Sequence, residues 1–131
     1  MKILSKKDFI GRTPHRTPYI SINAVGEIIF NPAAVREYSL EPGMSLLLGT
    51  DDNYPGKLFA QKTRIDDGRA WLVSKFGKGR LRCRVSIVLN RMGIDYENHI
   101  YTCTLAPAPE KLYLNWYILS FEKGKKRSRK K

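Results

Sequence analysis

Lys78, Arg80, Arg82 and Arg84 stand two residues apart, with Leu81, Cys83 and Val85 placed between and after them. Along an extended chain successive side chains point to opposite faces. This spacing therefore predicts a strand with four cations on one side and Leu81, Cys83 and Val85 in a core on the other. Same-face neighbours then lie roughly 6.6 Å apart, comparable to the spacing of phosphates along a nucleic-acid strand. Such a row neutralises several phosphates at once and releases their counterions. Arginine adds a planar fork that fits a phosphate or the edge of guanine. The alternative is a solvated face whose charges pair with acids on the neighbouring strand, and Glu27 is a candidate for that partner.

The rest of the charge is unevenly placed as well. The chain of 131 residues has 24 Lys and Arg against 12 Asp and Glu, a net charge of +12. The last nine residues, Lys123 to Lys131, hold seven bases and no acid, among them Lys125, Lys126, Arg127 and Arg129. Residues 1 to 20 hold five bases, including Lys6, Lys7, Arg12 and Arg16, and one acid, Asp8. Lys75 to Arg91 carries six bases and no acid. Charge gathered in this way attracts polyanions, of which nucleic acid is the commonest inside cells. The tail and the N-terminal arm would add affinity without reading base sequence. An anionic membrane surface is a weaker competitor, since no apolar helix or lipidation motif adjoins the basic tail.

Other chemistries have little to stand on. Enzyme candidates are His15, His99 and the pairs Asp51-Asp52 and Asp66-Asp67, which could hold Mg²⁺ for a nuclease. Both acidic pairs sit in sequences typical of hairpin loops, Asp51-Asp52-Asn53 and Asp66-Asp67-Gly68. There is no nucleophile with a partnered base, so a non-enzymatic protein without a cofactor is expected. Cys83 and Cys103 are too few for a disulfide framework and have no zinc-type spacing, and both read as small buried residues. Met1 to Gly11 lacks the apolar run of a signal peptide, and no stretch approaches a membrane span. A cytoplasmic, nucleoid-associated location is the expectation.

Aromatic residues raise a second binding mode. Trp71, Phe76, Tyr101, Tyr113, Trp116 and Tyr117 fall in the second half. Exposed rings beside arginines would stack unpaired bases, as in a single-stranded DNA or RNA binder. The competing role for these rings is the core of a small barrel.

The elements that must position the cations follow from alternation and turn residues. Met1 to Pro18 reads as a basic arm. Tyr19–Asn23 and Glu27–Phe30 form a hairpin about Gly26. Asn31-Pro32 opens a short helix to Tyr38, ended by Leu40 and the turn Glu41-Pro42-Gly43. Strands follow at Met44–Leu48 and Lys57–Lys62. The order then recurs: strands Ala70–Phe76 and Arg80–Val85 about Gly77-Lys78-Gly79, and a helix Ile87–Met92 capped by Ser86 and ended by Gly93. Strands at His99–Leu105 and Leu112–Leu119 complete it. The expectation is a mainly β, small barrel of two ββαββ pseudo-repeats, residues 19–65 and 69–120 of one domain spanning 19–120. The period is 53 to 54, with Gly26 opposite Gly79, Val35 opposite Val88 and Leu40 opposite Ile94. Residues 1–18 form the arm and 121–131 a disordered basic tail.

The run Ile20-Ser21-Ile22, Gly26 to Arg36, Leu40-Glu41-Pro42-Gly43 and Met44 to Leu48 resembles the AbrB/SpoVT group of bacterial DNA-binding proteins. A similar string, Gly79-Arg80, Leu89, Arg91 and Gly93-Ile94, stands in the second copy. Glu27 after the turn glycine and the missing helix-opening proline of the second copy depart from the family's pattern. The resemblance implies a swapped-hairpin barrel, here completed within one chain, and a transcription regulator or nucleoid-type protein. It implies duplex DNA bound through basic residues on one face: Lys75, Lys78, Arg80, Arg82, Arg84 and Arg91, helped by the arm and tail. An antitoxin-like module that holds a protein partner, or a homodimer, is the further alternative.

Overall fold

Asn31 has extended backbone, and its side chain accepts from the N–H of Ala34 while Pro32 takes the first helical position, so a helix begins there as the sequence predicts. The computed structural model in which this is seen describes residues 17–64, 68–109 and 115–128. Ten elements follow in order: β1 (Ile20–Ile22), β2 (Glu27–Phe30), α1 (Pro32–Glu37), β3 (Ser45–Gly49) and β4 (Lys57–Thr63). After them come β5 (Trp71–Lys75), β6 (Leu81–Arg84), α2 (Ser86–Arg91), β7 (His99–Pro107) and β8 (Tyr117–Lys126).

The eight strands close into one antiparallel barrel in the order β1-β2-β6-β5-β3-β4-β8-β7, with β7 pairing back to β1. Closure gives every strand a neighbour on both sides over part of its length, while residues 121–126 of β8 pair with β7 alone. The hairpins of the two halves alternate around the ring: β1–β2, β5–β6, β3–β4, β7–β8. In the first hairpin Ile20, Ser21 and Ile22 pair with Phe30, Ile29 and Ile28. In the third quarter of the chain Val73, Ser74 and Lys75 pair with Cys83, Arg82 and Leu81. Each residue of the second set is its counterpart in the first plus 53.

The helices match at a different spacing. Leu40 N–H donates to Val35 and Ile94 N–H to Leu89, and Ser39 N–H donates to Arg36 and Gly93 N–H to Asn90. These pairs are 54 apart, so the extra residue falls before α2 and Val35 stands opposite Leu89, not Val88. Ser86 also differs from expectation. It is the first residue of α2 and Val85 is the N-cap, with no side-chain capping bond. Ser86 instead packs beneath Gly26, where an added Cβ would stand 2.5 Å from its own Cβ.

The interior is apolar. Ile22, Ile28, Leu58, Val73, Cys83, Val85 and Leu89 are all but inaccessible, and both cysteines are free and buried. Burial pushes each thiol up to about 12. Among the described residues no helix is long and apolar enough to cross a membrane.

The carboxy-terminal end corrects the sequence reading. The sequence predicts a last strand over Leu112–Leu119, of which 112–114 lie outside the described residues, and a disordered tail from residue 121. Instead β8 runs to Lys126, with Phe121 paired to Cys103, Glu122 to Thr102, Lys123 to Tyr101 and Lys126 to His99. A long partner strand supplies backbone hydrogen bonds whatever the side chains are, so a polar, basic segment is held where its own pattern gives no strand signal.

Candidate nucleic-acid interface

The strand β6 does what its alternation predicts over its four residues. Leu81 and Cys83 are buried in the barrel, and Arg82 and Arg84 lie outside, with side chains 40% and 69% exposed. Lys78 is not part of that row. Gly77, Lys78 and Gly79 all have left-handed backbone, with φ of 75°, 50° and 77°, and they reverse β5 into β6. Phe76 N–H donates to the carbonyl of Arg80, and Arg80 N–H donates to that of Gly77, which closes the turn. Lys78 therefore stands at the tip and Arg80 at its base, where the expected strand had four cations in line.

The same turn gathers three of the predicted cations. Lys75 and Lys78 are exposed, and with Arg80 they line a cleft with Val35 and Pro42 beside α1. Among the described residues none of the three has a carboxylate within ion-pair distance. The main-chain N–H groups of Gly77, Lys78 and Gly79 likewise have no partner there. Nothing lies within 4 Å of the place a Cβ would take on Gly77, so the backbone is open to approach.

Two groups hold the arginines of the stripe, the Phe76 ring, which the sequence did not tie to it, and Glu27, which it did. The guanidinium carbons of Arg80 and Arg82 lie 4.7 and 5.1 Å from the centroid of the Phe76 ring. Contacts of this type are worth about 0.5–1 kcal/mol at exposed sites. Glu27 pairs across the strands with Arg84, and its Oε2 is 3.5 Å from Arg82 Nη1 and 3.6 Å from Arg84 Nε. The partner weighed from the sequence is thus present, but it reaches only two of the arginines. Five cations, Lys75, Lys78, Arg80, Arg82 and Arg84, against the one carboxylate of Glu27 leave four positive charges on this hairpin.

Asn23 carries no signal in a charge-based reading, yet it fixes Glu27. Its Oδ1 accepts from the N–H groups of Val25 and Glu27, and its Nδ2 donates to Glu27 Oε1 at 2.8 Å. An Asn at the start of a hairpin turn is the available clue.

The remaining candidates lie elsewhere. Lys125 and Lys126 are exposed at the end of β8. That end of the barrel is also where β6 finishes with Arg84, because Ile22 pairs with both Ile28 and Tyr101, and Tyr101 with Lys123. From β6 to β8 across β2, β1 and β7 is four strand spacings, about 19 Å along the curved surface. Between them one lateral row runs Arg82, Ile29, Ser21, Thr102, Glu122. Arg127 is occupied in the fold: its side chain donates to the carbonyls of Tyr96 and Ile22. Arg91 is exposed in the last turn of α2, next to Met92, which lines a cleft with Asp51 and Asp52. Lys6, Lys7, Arg12, Arg16 and Arg129 lie outside the described residues, as do His15, Asp66-Asp67 and Tyr113.

The described aromatic residues of the second half offer no open stacking platform. Tyr101 is buried, and Trp71, Phe76, Trp116 and Tyr117 are half-buried; Tyr117 meets Tyr38 edge-on with ring centroids 5.9 Å apart. Asp51 accepts from the N–H of Asn53 in a local turn. His99 Nδ1 is 3.4 Å from the Asp95 carboxylate but makes no hydrogen bond to it, and that carboxylate accepts from Asn98 Nδ2. Among the described residues no three His, Cys, Asp or Glu side chains gather as metal ligands. No protein-family model, curated protein or solved structure matches the chain.

Proposed function

We propose that this protein binds double-stranded DNA through the β5–β6 hairpin and acts as a transcription regulator or nucleoid-type protein. The observation that carries the reading is the concentration of cations there. Lys75, Lys78 and Arg80 stand without a carboxylate partner among the described residues around a turn with bare N–H groups, Arg80 Nε donating to the Gly77 carbonyl, and Arg82 and Arg84 continue the line along β6. Lysines and arginines so placed neutralise successive phosphates, and the guanidiniums add the fork that addresses a phosphate or a guanine edge. The exposed Lys125 and Lys126 at the same end of the barrel as Arg84, on β8, add to the hairpin's field. The alternation of the two halves' hairpins around the barrel supports a swapped-hairpin fold of the AbrB/SpoVT kind, completed within one chain.

A titration of the full chain with labelled duplex DNA, single-stranded DNA and a structured RNA tests this. Duplex is expected to bind tightest, without quenching of Trp fluorescence. Preference for single strands accompanied by quenching would instead make the half-buried rings the site. Arg80→Ala/Arg82→Ala/Arg84→Ala is expected to lose far more affinity than Lys57→Ala, since Lys57 Nζ is engaged with Ser120 Oγ on another part of the barrel.

A further inference from the structure

The hairpins β1–β2 and β5–β6 share their register 53 residues apart, yet they carry opposite charges after the turn glycine. Gly26 is followed by Glu27 and Gly79 by Arg80. The acid is not a surface counter-charge. The Glu27 side chain is 5% exposed, while the Arg84 side chain above it is 69% exposed. Asn23 fixes it from the turn, bonding both its carboxylate and its N–H. Its other oxygen faces Arg82 Nη1 and Arg84 Nε together. A carboxylate in this position is screened from an incoming polyanion by the two guanidiniums, and it sets where they stand. Arg82 has a second guide in the Phe76 ring. Long side chains ordered before binding lose less conformational entropy when a ligand arrives.

We propose that Glu27 is a positioning residue of the interface: from beneath, it holds the Arg82 and Arg84 guanidiniums outward as a preorganised pair of phosphate contacts. This rests on the reading of the β5–β6 hairpin as the DNA-contacting surface. Its consequence runs against net charge. Glu27→Gln removes a negative charge from a protein that binds a polyanion, and simple electrostatics then demands tighter binding. Positioning demands weaker binding, and only while the two arginines are present.

The experiment measures duplex affinity, well below the unfolding temperature, for the full chain, Glu27→Gln, Arg82→Ala/Arg84→Ala and the combination of all three changes. Glu27→Gln is expected to weaken binding about tenfold in the natural background and by less than about twofold when both arginines are gone. Tighter binding by Glu27→Gln overturns the proposal. So does an equal loss in both backgrounds, which marks a general structural role. Absence of duplex binding by the unmodified chain fails the functional reading instead. The positioning is then read from NMR order parameters of the Arg82 and Arg84 Nε groups, which fall in Glu27→Gln if the carboxylate holds them and stay unchanged if it does not.

Discussion

Arg127 reaches back 105 residues to Ile22: its Nη2 donates to the Ile22 carbonyl at 2.7 Å, its Nε to that of Tyr96 at 2.8 Å. Its own N–H donates to Asn98. One side chain thus ties the end of β8 to β1 and to the loop before β7. Arg127→Ala strands two part-buried carbonyls, and hydrogen bonds from a charged donor are worth about 1.5–3 kcal/mol each. Urea unfolding is expected to show a loss of about 3 kcal/mol, with duplex affinity changed no more than by losing one remote charge. Unchanged stability with a large affinity loss would place Arg127 at the interface instead.

Gly26 and Gly77 both have left-handed backbone, but only Gly26 is enclosed. A Cβ there meets Ser86 Cβ at 2.5 Å and Cα at 2.8 Å. Gly26→Ala combines a left-handed penalty of about 1–2 kcal/mol with overpacking against backbone, for a total of about 3 kcal/mol or more. Gly77→Ala carries the first penalty alone. Denaturation midpoints of the two variants separate these terms, and equal losses would mean that the Gly26–Ser86 approach is not tight.

The barrel was legible where side chains alternate strictly or a turn residue is unambiguous. Ile20 to Phe30 about Gly26, the Asn31-Pro32 helix start and Leu81 to Arg84 needed nothing from tertiary structure. Three features were not legible, for identifiable reasons. Lys78 fits both the alternation of the stripe and the Gly77-Lys78-Gly79 turn, and spacing alone does not decide between the two; the left-handed backbone of all three residues takes it into the turn. The segment Phe121 to Lys126 is strand because β7 is long enough to pair with it, a non-local cause. Glu27 was visible as an acid near the stripe, but its burial depends on Asn23 and on the β2–β6 register. That only two of the arginines reach it could not be read from spacing.

Lys78 holds a left-handed conformation that favours glycine, with φ of 50°. Lys78→Gly relieves that strain and is expected to raise stability by up to about 1 kcal/mol. It also removes the cation at the tip, so the salt dependence of duplex binding is expected to fall by about one unit of log–log slope. Stability and binding then move in opposite directions, as they do where strain is kept for function. A variant that loses both would assign Lys78 a structural task.

Both cysteines predict a decline in stability at alkaline pH. Burial raises their thiols from 9.0 to about 12, so the native state keeps protons that the unfolded chain releases. Stability from this source is complete below about pH 9 and is lost as pH rises towards 12, at about 1.4 kcal/mol per pH unit for each thiol. Urea unfolding of the full chain and of Cys83→Ala between pH 8 and 11 checks this. Other titrating groups act alike in both proteins, so the slope difference isolates one thiol. Parallel curves would mean that Cys83 ionises as freely folded as unfolded.

The salt dependence of duplex binding tests the central claim most directly. Affinity of the full chain is measured against NaCl concentration beside Arg80→Ala/Arg82→Ala/Arg84→Ala. A DNA interface on the β5–β6 hairpin predicts that log affinity falls linearly and steeply with log salt, with a slope reduced by about three in the triple variant. A slope near zero in the full chain, or the same slope and affinity in both proteins, would contradict it.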